Sequence, residues 1–410
     1  MEKIKKNIFL LLIIQAVNYI FPLLTFPYLT RTLGVESFGL FAFSQSIIIY
    51  ITSFVDFGFN LTSTRKISKA FNENNFEKIN EIYWYTTLAK ILLVIISALI
   101  FYVSSCFFQQ LKLISFLVTI GYISIISSVF IPYWLFQGIQ SMKPIVYSNI
   151  VGKVINLLLV FYLVKTSYDT NAAMFAYSCG IFISSLYLVF FLKKLRLIYK
   201  IRINLNTIYS YLFESFPIFL TFIGASIYTT LNTFFMSFYV SIAAVGIYSG
   251  AERIRSVAQS MISPLQQAIY PHLSAKKDGE YFEELKKYGV LLFLFSILIS
   301  ILLYIFSDKI VYYLLGSKFH ESSLILKILS ILPMIISLAI IFGQWGLVNM
   351  NRSKVLSKIY LAAAFIHVFY MCLLCYFYNI YGAAISVVIT ETIVSGLIML
   401  FFIKSVFYEK

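Results

Sequence analysis

The chain has 410 residues, of which 60% are hydrophobic and only 12% charged, with a formal net charge of +15. A soluble protein carries about 25% charged residues, so these proportions exclude an ordinary soluble enzyme and describe a polytopic membrane protein. The mean hydropathy of +0.87 agrees, and the positive charge implies nucleic acid only if its placement does.

A spanning helix needs about 20 mostly apolar residues. Met1–Lys6 ahead of an apolar run resembles a signal peptide. No small-residue cleavage site follows, however, and the run continues through Gln15, Asn18 and Pro22 to about Thr30, so it reads as an uncleaved first helix. Further spans are expected at 38–63, 83–107, 113–138, 145–166, 172–192, 209–238, 242–271, 288–310, 324–348, 355–378 and 381–404. With 8–30 that makes about twelve. The expected fold is all-α, in two halves of six helices, 1–198 and 199–410.

With Met1 on the cytoplasmic side, the inside segments hold 22 Lys and Arg and the outside segments six, while Lys90, Lys153, Arg253 and Arg255 fall within spans. The positive-inside rule then places both termini in the cytoplasm, and this asymmetry accounts for the net charge without nucleic acid. The loop 193–208 alternates basic and apolar residues and is expected to lie along the cytoplasmic lipid surface. No loop between these spans exceeds about 20 residues, which leaves no room for a folded soluble catalytic domain.

The cysteines (Cys106, Cys179, Cys372, Cys375) lie in apolar runs, so no disulfide framework or zinc site is expected. No Walker sequence, nucleophile motif or metal-spaced carboxylate cluster occurs, and neither a metal nor a cofactor is expected.

The halves carry a faint parallel repeat. "SFGLFAFSQ" (37–45) resembles "AVGIYSGAE" (244–252), and "NAAMFAYS" (171–178) corresponds to "YGAAISVV" (381–388). Such repeats occur in transporters with a central substrate path. Polar residues recur on single helical faces in the first two spans of each half: Gln15, Asn18, Pro22 and Thr25; Gln45, Thr52, Asp56 and Asn60; Glu214, Thr221, Tyr228 and Asn232; and Glu252, Arg255, Gln259, Ser263, Gln266 and Tyr270. The simpler reading is interhelical hydrogen bonding at about 0.6 kcal/mol each. That accounts poorly for the eighth span, whose first half holds two arginines and a glutamate, charges that are costly in lipid. Gly246 and Gly250 there read as a packing surface. Lys90 is close enough to the cytoplasmic face to snorkel, Lys153 and Glu391 lie deeper, and His367 reads as a satisfied core residue.

The segments "NYIFPLLTFPYLTRTLGVESFG" (18–39), "DFGFNLTSTRKIS" (56–68), "PYWLFQGIQSMK" (132–143), "AAVGIYSGAERI" (243–254) and "YGAAISVVITE" (381–391) resemble polysaccharide biosynthesis flippases of the O-antigen Wzx type. The resemblance implies two six-helix lobes around a central cavity that alternately faces each side of the bacterial inner membrane. It also implies a substrate of one oligosaccharide unit on undecaprenyl pyrophosphate, for O-antigen or capsule, moved from the cytoplasmic to the periplasmic leaflet without catalysis. Membrane lipid and other polysaccharide-assembly membrane proteins would be further partners.

A pyrophosphate wants arginine or lysine, available at Arg31, Lys153, Arg253 and Arg255, with Arg65 at the water boundary as a further substrate-binding candidate. A glycan wants amides and hydroxyls, such as Asn232 and Gln259. The carboxylates Asp56, Glu214, Glu252 and Glu391 complete the candidate substrate-binding set. Asp56 is expected at the cavity mouth, arranging cations for the pyrophosphate, with an ion pair to Arg65 or to another helix as the alternative. Two competing readings are a cation-coupled exporter of small amphipathic molecules, using Asp56, Glu214 or Glu391, and an integral-membrane glycosyl enzyme.

Overall fold

In lipid, every backbone amide and carbonyl must find a partner within the chain, so only helices or closed barrels can cross. The computed structural model describes residues 2–195, 204–229, 231–274, 276, 278–350 and 352–408, and these are helical almost throughout, with no strand among them. The surface loop expected at 193–208 lies largely outside the described residues. So do the side chains of Thr221 and Tyr228.

Among the described residues sixteen α-helices follow one another, and eight stretches are long and apolar enough to cross a membrane. Two of these, Ile20–Asn72 and Ser353–Val406, each bend and serve as two passes. Adding α9 (Leu205–Thr229), and α11 (Ile242–Ser260) together with α12 (Ser263–Ser274), gives the expected dozen or so.

The expected spans are present, but their joints differ. Helix α1 (Glu2–Asp56) joins the first two spans, turning only at Gly34, with φ 74° and ψ −178°. A straight helix of that length would be ~80 Å long, far beyond a hydrocarbon core of about 30 Å, so a bend is required. The second span, expected unbroken from 38 to 63, instead stops at Asp56. Phe57 (φ 44°) and Gly58 (φ 78°) are left-handed, and α2 (Phe59–Asn72) starts a new direction. The spacing of Phe59, Ser63, Ile67 and Ala70 gives α2 one buried face, and it packs on α6 (Tyr133–Gly138), with Gly138 against Ile67.

Helix α3 (Phe76–Phe107) begins two turns earlier than expected, because the Asn75 side chain caps it by accepting from the Lys78 amide at 2.9 Å. A short α4 (Gln109–Leu113) leads into α5 (Ser115–Val129). The span expected at 113–138 is cut before α6 at Pro132, which has no amide hydrogen to continue the ladder. Helices α7 (Lys143–Leu163) and α8 (Thr170–Leu195) pack through small residues. Ser148 and Ser184 each donate to the other's backbone carbonyl, at 3.1 and 2.9 Å. A Cβ on Gly152 would lie 1.9 Å from the Ser184 hydroxyl.

After α9 come α10 (Asn232–Met236), α11 and α12. The span expected at 242–271 is therefore broken at Met261–Ile262, about one helical turn before the place that the repeat pairs with 57–58. Gly250 packs against Leu315 and Phe319, the packing role expected of it. Helix α13 (Asp278–Leu315) leads through Gly316 and a 3-10 turn (Ser317–Phe319) to α14 (Ser322–Leu329) and α15 (Leu332–Leu338). A π-helical stretch (Ala339–Leu347) follows. Helix α16 (Ser353–Tyr408) closes the chain and bends at Asn379 (φ 51°, ψ −135°).

The chain divides into two compact units, Met1–Ile223 and Gly224–Lys410. The repeat would divide it near 198. The difference is the N-terminal part of α9, which packs with the first unit: Phe219 stacks on Phe57 at 4.3 Å, Tyr211 lies 5.8 Å from Tyr85, and the Thr62 and Ser215 hydroxyls meet at 2.8 Å.

Candidate functional site

In the first unit two ion pairs lie on the helices that meet at the 57–58 break. Lys90 on α3 reaches the last residue of α1, with its ammonium 2.6 Å from the Asp56 carboxylate. The lysine side chain is 2% exposed and the aspartate 34%, so Lys90 is buried and paired and does not snorkel. Asp56 therefore serves a cation on another helix. Arg65 is exposed on α2.

Glu214 on α9 pairs with Lys66 at 2.5 Å, and the same ammonium lies 3.7 Å from the centre of the Tyr211 ring. The break also divides the polar face drawn through Gln45, Thr52, Asp56 and Asn60. Gln45 is buried, Thr52 donates back to the Ile48 carbonyl at 2.8 Å, and Asn60 is exposed on α2. Arg31 is exposed just before the Gly34 bend, and Lys153 is half-buried on α7 beside the Gly152 contact.

The second unit gathers more of the candidates. On α11, Tyr248, Glu252, Arg255 and Gln259 follow at helical spacing on one face, and Arg255 donates to Glu252 one turn before it. Arg253 lies one position round the helix and is half-buried. Gln259 holds a buried carboxamide oxygen with no partner among the described residues. Asn232 on α10 is buried and donates to the Tyr248 hydroxyl at 2.8 Å, and its own oxygen lies 3.2 Å from His367 Nε2. His367 Nδ1 is 2.6 Å from the Thr390 hydroxyl, which also bonds Tyr370.

One residue further on is Glu391, 8% exposed and in electrostatic contact with Arg255 and Glu252. His367 is thus satisfied, as expected, but it is the hub of a network that joins α10, α11 and both segments of α16. The sequence did not reveal Tyr248, His367, Thr390 and Tyr370 as a group. Asn232 and His367 are 135 residues apart, and only the fold brings them together.

The break between α11 and α12 is followed by Gln266, which donates to Gln344 of the π-helical stretch. Helices with extra-wide turns often mark functional positions, and here the turn places a second amide in the span. No group of His, Cys, Asp and Glu suited to a metal ion occurs among the described residues.

A model of a family described as "Polysaccharide biosynthesis protein" matches residues 4–277. The chain is 34% identical over 402 residues to a Shigella dysenteriae protein named "Putative O-antigen transporter", covering 98% of this chain and 100% of that one. It is 29% identical to an Escherichia coli K12 protein of the same name, covering 97% and 96%.

Among solved structures, the inward-facing form of a multidrug-resistance MATE transporter of the MOP superfamily aligns with a TM-score of 0.76. It shares 12% identity, over 95% of this chain and 94% of that one. A MOP superfamily transporter from Pyrococcus furiosus aligns at 0.66 and 14%, over 98% and 95%. Those identities carry the fold: an all-α, multi-pass membrane protein.

Proposed function

This chain belongs to the polysaccharide biosynthesis protein family, and from that premise we infer that it is a carrier of lipid-linked polysaccharide units, not a catalyst. Its substrate on this reading is one oligosaccharide unit on undecaprenyl pyrophosphate, for O-antigen or capsule. The unit passes by alternating access from the cytoplasmic to the periplasmic leaflet of the inner membrane. The observation that carries the reading is the likeness, along nearly the whole chain, to two proteins named "Putative O-antigen transporter".

The chemistry of the candidate residues supports it. A pyrophosphate is held best by charge-assisted hydrogen bonds from arginine, and Arg31, Arg65, Arg253 and Arg255, with Lys153, supply the cations. Asn232, Gln259 and the Gln266–Gln344 pair supply the amides a glycan needs. Charged side chains within spans are costly and tend to mark substrate paths. The carboxylates then differ in role: Asp56 and Glu214 hold lysines of the first unit, while Glu252 and Glu391 lie around Arg255.

The second reading, a cation-coupled exporter of small amphipathic molecules, is favoured by the MATE fold alone. A bacterial strain lacking its own exporter and carrying the matching glycan genes separates the two. The chain is expected to restore surface polysaccharide there, and R255Q to restore less than a tenth as much. Resistance to drugs with no surface polysaccharide would overturn the lipid-linked reading in favour of the second.

A further inference from the structure

On the second unit, α11 and α13 leave a groove of about 680 Å³ between them. One wall is Ala258 and Met261, a small side chain near the end of α11 and the first residue of the break that follows it. The other wall is α13, from Phe295 to Tyr313 and Leu314, mostly leucine, isoleucine and phenylalanine. Met261, Leu302 and Tyr313 are exposed, so the groove is open along its length. Among the residues that line it, Lys309 alone is charged.

Lipid tails are as apolar as such a wall, so hydrophobicity by itself selects no occupant. Shape and the charge at one end do. From Lys309 back to Phe295 the helix rises ~21 Å, more than the ~15 Å of one leaflet in a hydrocarbon core of about 30 Å, so an acyl chain can lie along it throughout. The charge asymmetry of the chain predicts that the Lys309 end of α13 faces the periplasm. Lys309 is exposed and forms no ion pair among the described residues, while the adjacent Asp308 is held by Lys327 of α14 at 2.8 Å. A single lysine binds phosphate as a point charge, which suits the one phosphodiester of a glycerophospholipid. A pyrophosphate gathers more cations, and Arg253 and Arg255 offer them elsewhere on α11.

We propose that the α11–α13 groove is a binding site for one anionic glycerophospholipid of the periplasmic leaflet, with an acyl chain along the groove and its phosphate on Lys309. A net negative headgroup is preferred because it brings no ammonium to compete with the lysine. Ala258 lies one turn after Arg255 on α11, so the lipid packs on the helix that carries the candidate substrate residues and favours transport when bound. That last consequence rests on the substrate reading above; the binding site does not.

Native mass spectrometry of the full chain, released from detergent with phosphatidylglycerol or phosphatidylcholine added, tests the site. The wild type is expected to retain one phosphatidylglycerol in preference to phosphatidylcholine. K309Q should lower phosphatidylglycerol retention about fivefold, as one basic residue at a lipid surface implies, and leave phosphatidylcholine unchanged. L302W, at an exposed position of the wall, should lower both by filling the groove. Equal retention of the two lipids by the wild type, or full retention by both variants, would overturn the site and leave Lys309 a lysine that merely snorkels. Stronger retention of a polyprenyl pyrophosphate than of phosphatidylglycerol, lost in K309Q, would overturn the phospholipid as occupant. In proteoliposomes, phosphatidylglycerol should speed glycan transfer by the wild type and not by K309Q. Selective lipid retention without transfer in any lipid would count against the substrate reading and leave the site standing.

Discussion

Asp56 shows how much a single residue can announce and how little it reveals of its partner. The sequence marks it as a charge that needs company inside a membrane helix, but its cation lies on α3, 34 residues away. Lys90 itself reads as a lysine able to snorkel, because its depth follows from how α3 packs and not from its neighbours in sequence. Removing one member of a buried pair costs about 3–5 kcal/mol, and here the lower end applies because Asp56 is about a third exposed. We expect K90M to lower thermal stability in detergent by that amount, D56N to lower it nearly as much, and the D56N/K90M double variant to recover most of the loss. Additive losses in that cycle would contradict a direct pair.

At the scale of elements, the apolar runs were legible and the joints between them were not. Hydropathy locates a span, but the break at Phe57–Gly58 is set by tertiary contacts. A Cβ on Gly58 would lie 2.7 Å from Ile218, and φ there is 78°. We expect G58A to cost more than about 1 kcal/mol, read as a lower unfolding temperature, since both the backbone conformation and the space refuse a side chain. A neutral G58A would contradict the close approach of α2 and α9.

The turn between α7 and α8 makes a second prediction. Amides of Lys165 and Thr166 donate to the exposed Asp169 carboxylate at 2.8 and 2.7 Å and hold it below the usual carboxylate range. A depressed folded value means the contribution is complete above the unfolded value of about 3.9 and is lost as pH falls through the folded one. D169A should therefore speed hydrogen exchange at this turn at neutral pH, and the difference from wild type should fade in strong acid. Equal protection at neutral pH would count against the carboxylate's role.

For the whole molecule, about twelve passes were readable because lipid leaves the chain few options. The limits of the compact units follow from side-chain packing instead. Repeat logic assigns all of α9 to the second half, whereas aromatic and ionic contacts bind its first turns to the first unit, which ends at Ile223. The candidate site was legible as residue types, such as Arg255 and Glu391. It was not legible as a network, since Asn232, His367 and Thr390 meet only in the folded unit. The charge asymmetry also predicts both termini in the cytoplasm, so a reporter active only in the cytoplasm should work when fused after Lys410, and activity only of a periplasmic reporter there would contradict it.

The central claim is the movement of a lipid-linked glycan, and its most direct measurement is the transfer of radiolabelled undecaprenyl-pyrophosphate oligosaccharide across the bilayer of proteoliposomes. The wild-type chain is expected to expose the glycan to an enzyme added outside well above protein-free vesicles, and R255Q to lose most of that transfer. Transfer no faster than in protein-free vesicles, from a folded preparation, would contradict the account.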